Sequence, residues 1–235
     1  MATGKEAWPA ITINATVSPP VVSGGNVMVV MDAGQVLAFD AATGTKAWEA
    51  TISPGNDAAK SRVTRMRSPI ESFTVTGLLP SPAVDGERIY VSVSGVTDPP
   101  STRTSDIYRD LSIGGVAAFD ARTGKQEWFF RSMPVPAGAP TNPSWESKEL
   151  HWSDLQVAGD HVVGTVLLWN VSRSLPVGLG SMDRKTGALE WFIPTAIRGL
   201  TVMTDRPIVS GGVVYFRIPP QTEGMEAGLY ALEVK

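Results

Sequence analysis

His151 and His161 are the chain's two histidines, and cysteine is absent. Neither a His-x-x-x-His nor a Cys-x-x-Cys spacing exists, so a zinc site has no ligand set. Disulfides, thiolate centres, a cysteine nucleophile and covalent haem attachment are excluded as well. No Gly-x-Ser-x-Gly elbow, phosphate loop or dinucleotide fingerprint stands at a strand-to-helix junction, and no residue is assigned a catalytic role. Charge and aromatic rings do cluster. Arg62, Arg65 and Arg67 in SRVTRMR could grip a carboxylate or phosphate through forked hydrogen bonds; a solvated loop is the plainer reading. Tyr108 and Arg109 stand in a second charged stretch with Asp98, Arg103, Asp106 and Asp110. In WESKELHW, Trp145 and Trp152 flank Glu146, Glu149 and His151. That is an anchor for a protein or peptide partner, since tryptophan brings large contact area at little entropic cost, or else a loop capping the molecule with its own aromatics.

The elements that must position these groups are strands. Glycine (23) and proline (18) punctuate short β-rich runs, and hardly any window sustains a 3.6-residue apolar period. One signature recurs: an apolar strand, an acid, then Thr-Gly-x-x-x-Trp. It reads VLAFDAATGTKAW from Val36, VAAFDARTGKQEW from Val116 and LGSMDRKTGALEW from Leu179. A fourth copy is divided, with TGKEAW at Thr3–Trp8 and GLYALEVK at Gly228–Lys235. First strands repeat as well: SPPVVSGG from Ser18, SPAVDG from Ser81, DLQVAGD from Asp154 and RPIVSGG from Arg206, each ending in a glycine hairpin turn. Asp40, Asp120 and Asp183 are expected to accept backbone N–H bonds in the turn before the fourth strand. Trp8, Trp48, Trp128 and Trp191 share one phase, where a ring wedges between neighbouring units with its N–H on a carbonyl. The fold class is therefore all-β: a β-propeller of four four-stranded antiparallel blades in one domain, residues 1–235, with blades near 17–52, 78–132, 153–196 and 204–235 plus 3–12.

The pattern Ala-x-Asp-x-x-Thr-Gly-x-x-x-Trp resembles the tryptophan-docking repeat of PQQ-like (pyrroloquinoline-quinone-type) β-propellers, a family that includes quinoprotein alcohol dehydrogenases and BamB-type outer-membrane assembly lipoproteins. Ser181, Met182 and Glu233 depart from it mildly. The resemblance implies the fold strongly and an activity weakly, because the repeat serves enzymes and scaffolds alike. The dehydrogenases are similar in a vicinal cysteine pair, calcium-binding acids and a tryptophan floor. This chain has no cysteine, and its acids fall on no matching motif, so PQQ and calcium are not expected. The expected function is a non-enzymatic interaction or assembly scaffold; the alternative is a quinoprotein-type oxidoreductase or another enzyme with its site in the central funnel. Related repeats also lean towards an extracytoplasmic location, although MATGKEAW has neither the basic start nor the apolar stretch of a signal peptide.

In phase, the first strand completes a blade whose other strands are C-terminal, covering an edge that otherwise invites aggregation. Three closures follow: a homodimer in which each chain lends its first strand to the other, giving an eight-bladed ring; a self-closed four-bladed monomer; or a piece of a longer or heteromeric propeller. Surplus sequence falls in three insertions, 53–76, 96–112 and 133–152, where the clustered residues above reside. Charge is nearly balanced, 20 Lys+Arg against 23 Asp+Glu, which gives no pull towards nucleic acid. The longest apolar run, Val162–Trp169, is far short of the ~20 residues of a membrane span.

Overall fold

Among the described residues, runs of β-branched and aromatic residues between turn glycines build fifteen strands. The computed structural model describes residues 4, 6–15, 17–31, 34–53, 81–96, 111–134, 150–170, 173–194, 207–218 and 228–234. Four antiparallel sheets follow one another along the chain. The first is β1 (Val21–Ser23), β2 (Asn26–Val30), β3 (Gln35–Asp40) and β4 (Lys46–Thr51), and the second is β5 (Ala83–Val84), β6 (Arg88–Val96), β7 (Leu111–Asp120) and β8 (Gln126–Arg131). The third holds β9 (His151–Ala158), β10 (His161–Asn170), β11 (Arg173–Asp183) and β12 (Leu189–Pro194); the fourth holds β13 (Ile208–Ser210), β14 (Val213–Ile218) and β15 (Gly228–Glu233). Each sheet keeps its strands in chain order, as an up-and-down meander does.

First strands run along the middle of the array, β1 against β5, β5 against β9 and β9 against β13. Among the described residues β13 makes no comparable contact with β1, so the four blades do not close on themselves there. The core lies between blades. Met28, Val30, Val36 and Ala38 of the first blade meet Ile89, Val91, Ala117 and Phe119 of the second. Tyr90, Val116 and Ala118 of the second meet Trp152, Leu155, Val162 and Met182 of the third. Val163 and Leu179 of the third meet Val214 and Phe216 of the fourth. Each blade thus has a leading face towards its predecessor and a trailing face towards its successor. Burying one such aliphatic side chain contributes about 1.5–3 kcal/mol.

The outer strand carries one extra residue in three blades, where register shifts at Ala38/Phe39, Ala118/Phe119 and Ser181/Met182 leave Ala47, Glu127 and Glu190 as bulges just before the tryptophan. Two expectations are corrected. Among the described residues the fourth sheet has three strands, and residues 6–13 form no strand, so the N-terminal segment does not complete the last blade in this chain. The third blade begins at His151, ahead of the Asp154 read from sequence.

Candidate functional site

Antiparallel order fixes which connections share a face. The β1–β2 turn at Gly24–Gly25 and the Asp40, Asp120 and Asp183 turns lie at one end of their sheets. At the opposite end the chain joins strand ends through residues 54–80, 97–110, 135–149, 195–206 and 219–227.

On the turn face, one carboxylate oxygen does the same work in three blades. Asp40 Oδ1 accepts the N–H groups of Ala42 (3.0 Å) and Thr43 (2.8 Å) and the Thr43 hydroxyl (2.9 Å). Asp120 takes Arg122, Thr123 and the Thr123 hydroxyl at 3.0, 2.7 and 2.8 Å. Asp183 takes Lys185, Thr186 and the Thr186 hydroxyl at 3.0, 2.7 and 2.7 Å. The threonine hydroxyl first, then the N–H groups, hold each carboxyl below the usual range. These oxygens are committed to the turn, and the glycine that follows has φ of 72°, 72° and 70° at Gly44, Gly124 and Gly187, a left-handed turn that favours glycine.

Each such glycine lies under an indole from the blade before. Trp48 Nε1 donates to the Ala121 carbonyl at 3.2 Å, and Trp128 Nε1 to the Arg184 carbonyl at 3.2 Å. Trp8 takes the equivalent place on the first blade, with Nε1 3.3 Å from the Ala41 carbonyl and the ring over Gly44. Trp191 packs towards the fourth blade with Tyr230, Leu232 and Val234.

A polar lock joins the second and third blades. Asp85 accepts the Tyr90 hydroxyl at 2.6 Å and the N–H groups of Glu87 and Arg88 at 2.9 and 2.7 Å. Arg184 reaches from the third blade to Asp85 at 3.4 Å and to Asp160 at 3.2 Å. Burial pushes the Asp85 carboxyl up, but Tyr90, the two N–H groups and Arg184 outweigh it and leave the carboxyl below its ordinary value. Burial and the same bond push the Tyr90 phenol well up. Arg184 occupies the place of Ala41 and Ala121, and that substitution within the repeat was the available signal for this lock.

The bulge residues reach back across their sheets. Glu127 pairs with Arg88, and Glu190 contacts His161 Nδ1 while accepting the Ser181 hydroxyl at 3.0 Å. Ser181, His161 and Glu190 have the residue types of a hydrolase triad, but the acid stands between the other two. Ser181 is also fully buried, and a nucleophile must reach substrate with the base beside it. A cavity of about 380 Å³ opens at the first-to-second blade boundary, lined by Gly24, Gly86, Arg88, Asp120, Arg122 and Glu127 among others. Its main charges are already paired with each other or with the backbone. Among the described residues no three His, Cys, Asp or Glu side chains group as a metal ion requires. The donor set described there therefore does not fit calcium.

Arg62, Arg65, Arg67, Tyr108, Arg109 and Trp145 lie outside the described residues. His151 and Trp152 are corrected from partner-binding loop residues to core: they open β9 with 1% and 2% exposure. Burial holds the His151 imidazole down at about 4. Trp152 Nε1 donates to Ser132 Oγ at 3.0 Å, and its ring meets Phe130 edge-on at 5.7 Å.

Four-stranded meanders packed face to face around a line of first strands define a β-propeller. The model of the family described as outer membrane protein assembly factor BamB matches residues 1–221, and the chain belongs to this BamB-like family of PQQ-type repeats. No curated protein matches the chain significantly. Among solved structures it is similar to a quinohemoprotein alcohol dehydrogenase from Pseudomonas putida, with 15% identity, TM-score 0.47, and 86% of this chain against 29% of that one. It is also similar to BamB from Moraxella catarrhalis, with 15% identity, TM-score 0.41, and coverage of 99% and 68%. A computationally designed protein aligns at 10% identity and TM-score 0.48 over 99% and 100% of the two chains. The chain spans under a third of the dehydrogenase's length.

Proposed function

We propose that this chain is a non-enzymatic protein-interaction platform, presented by a ring of two copies. The observation that carries the reading is the asymmetry between its faces. One face is closed by turns whose polar groups satisfy one another, while the long connections of all four blades attach at the other. Connections on a rigid repeat scaffold are where binding resides. They contain Arg62, Arg65, Arg67, Tyr108, Arg109 and Trp145, a set suited to a protein or peptide with acidic and apolar groups. Membership in a BamB-like family supports a protein partner.

A titration with pyrroloquinoline quinone and calcium separates this from the oxidoreductase reading. An unchanged absorption spectrum and melting temperature are expected. Tight stoichiometric quinone binding would sink the platform reading.

A further inference from the structure

Three cross-strand rows on the trailing faces are built alike, each with a small residue between a larger one and a tryptophan. Met28, Ala38 and Trp48 form the first row, Tyr90, Ala118 and Trp128 the second, and Val163, Ser181 and Trp191 the third. The small middle residue lets its two neighbours meet above it. In the second row those neighbours are a phenol and an indole, with ring centroids 5.8 Å apart and planes inclined at 37°. Met28 and Val163 place no ring there in the other two rows.

The second row is also the one that has a base. Asp85 Oδ2 accepts the Tyr90 hydroxyl at 2.6 Å, whereas by register Ser23 and Ala158 take the place of Asp85 in the first and third blades. Two backbone N–H groups and Arg184 keep the Asp85 carboxylate ionised. Tyr90 is 0% exposed, and Trp128 is half-buried. The indole N–H of Trp128 meets the Arg184 carbonyl, which is no base.

Indoles and phenols give up an electron more readily than other side chains without sulfur, and a phenol that has lost one becomes a strong acid. With nowhere to send its proton, a buried phenol would then hold an uncompensated charge in the interior. A carboxylate already bonded to the hydroxyl removes that cost, because the proton crosses the existing bond as the electron leaves.

We propose that Trp128, Tyr90 and Asp85 form a one-electron relay that draws oxidation away from the tryptophan joining the second and third blades. A one-electron oxidant takes an electron from the Trp128 indole and is itself reduced. Tyr90 refills the indole with one electron while its phenolic proton passes to Asp85 Oδ2. The products are an intact tryptophan, a neutral tyrosyl radical and a protonated Asp85. A small reductant such as ascorbate then returns one electron, Asp85 returns the proton, and the starting state is restored. Burial of Tyr90 keeps its radical from coupling with other molecules in the meantime. What is preserved is the indole that covers Gly187 and bonds to the Arg184 carbonyl. The relay goes beyond the platform reading and needs neither a partner nor a second copy.

Azide radicals made by pulse radiolysis are a suitable probe, since they oxidise indoles and return to azide as they take the electron. In the unmodified protein the indolyl absorption is expected to decay in a first-order step that raises the phenoxyl absorption, more slowly in deuterium oxide than in water. Tyr90→Phe should remove most of that phenoxyl yield. It should also raise the irreversible oxidation of Trp128 severalfold, read by peptide mass spectrometry, with Trp48 unchanged as the reference within the same molecule. Asp85→Asn keeps an acceptor for the hydroxyl but cannot take its proton, and should slow the transfer severalfold. A purely structural role for Tyr90 and Asp85 would move neither the isotope effect nor the transfer rate. Equal loss of Trp128 in the unmodified protein and in Tyr90→Phe, or an unchanged transfer rate in Asp85→Asn, overturns the relay.

Discussion

Gly187 lies beneath the indole of Trp128, a residue of the preceding blade: a Cβ on the glycine would stand 2.5 Å from Cε3 of the ring. The glycine therefore meets two requirements, a φ of 70° and the close approach of an aromatic face. Gly25 has φ of 80°, but a Cβ there would meet nothing within 4 Å.

The two requirements separate by substitution. Gly25→Ala should cost about 1–2 kcal/mol, the penalty of a left-handed L residue. Gly187→Ala carries that penalty plus displacement of the ring and its bond to Arg184, and should cost at least about 3 kcal/mol. Urea midpoints of the two variants check this; equal losses would show that the tryptophan contact contributes nothing.

Asp85 and Tyr90 should behave as one unit. Asp85→Ala strands a buried phenol and two N–H groups, and a loss of about 2–3 kcal/mol is expected. Tyr90→Phe leaves Asp85 with its other donors and should cost about 1 kcal/mol. Adding Tyr90→Phe to Asp85→Ala removes the stranded hydroxyl, so the double variant should be no less stable than Asp85→Ala alone. A double-mutant cycle by denaturant unfolding tests it, and additivity would contradict the lock.

Much of the fold was legible because the repeat states it several times: the acid, the glycine and the tryptophan recur with the turn and wedge that they form. Asp85 and Arg184 escaped because each occurs in one blade, and their partnership spans 99 positions in sequence. His151 and Trp152 were misplaced for a different reason. A strand covered on both sides loses the alternation that marks a half-buried one, and His151, Trp152 and Ser153 are buried in succession. Asp154, at φ of 51°, then breaks the strand's regular geometry, so the sequence resembles a strand only after it.

His151 makes stability depend on pH. Its folded value, about 4, lies below the ordinary 6.5 because burial disfavours the imidazolium. The unfolded chain therefore binds the proton that the folded chain refuses. The contribution is fully present above pH 6.5 and is lost as pH falls towards 4, by roughly 3 kcal/mol across the window. Below that window the lowered carboxyls of Asp40, Asp120 and Asp183 act in the same direction. His151→Gln should flatten the upper part of the curve. Unfolding free energies measured from pH 7 to 4 provide the check, and an unchanged slope in the variant would assign the dependence elsewhere.

Trp152 and Gly180 offer a compensation test inside the third blade. A Cβ on Gly180 would strike Cη2 of the indole, and Gly180 has no positive φ to complicate the comparison. Gly180→Ala should therefore cost about 1–3 kcal/mol by overpacking alone. Trp152→Phe removes the part of the ring that the new methyl would strike, at the expense of a cavity and of the bond to Ser132. Combined, the methyl occupies space that the shorter ring vacates, and the pair should be more stable than the sum of its parts by about 1 kcal/mol or more. Thermal or urea unfolding of the single and double variants measures that difference. Strict additivity would mean that the indole moves aside freely, and that the reach of the Trp152 ring across β10 to β11 is not what places glycine at this position.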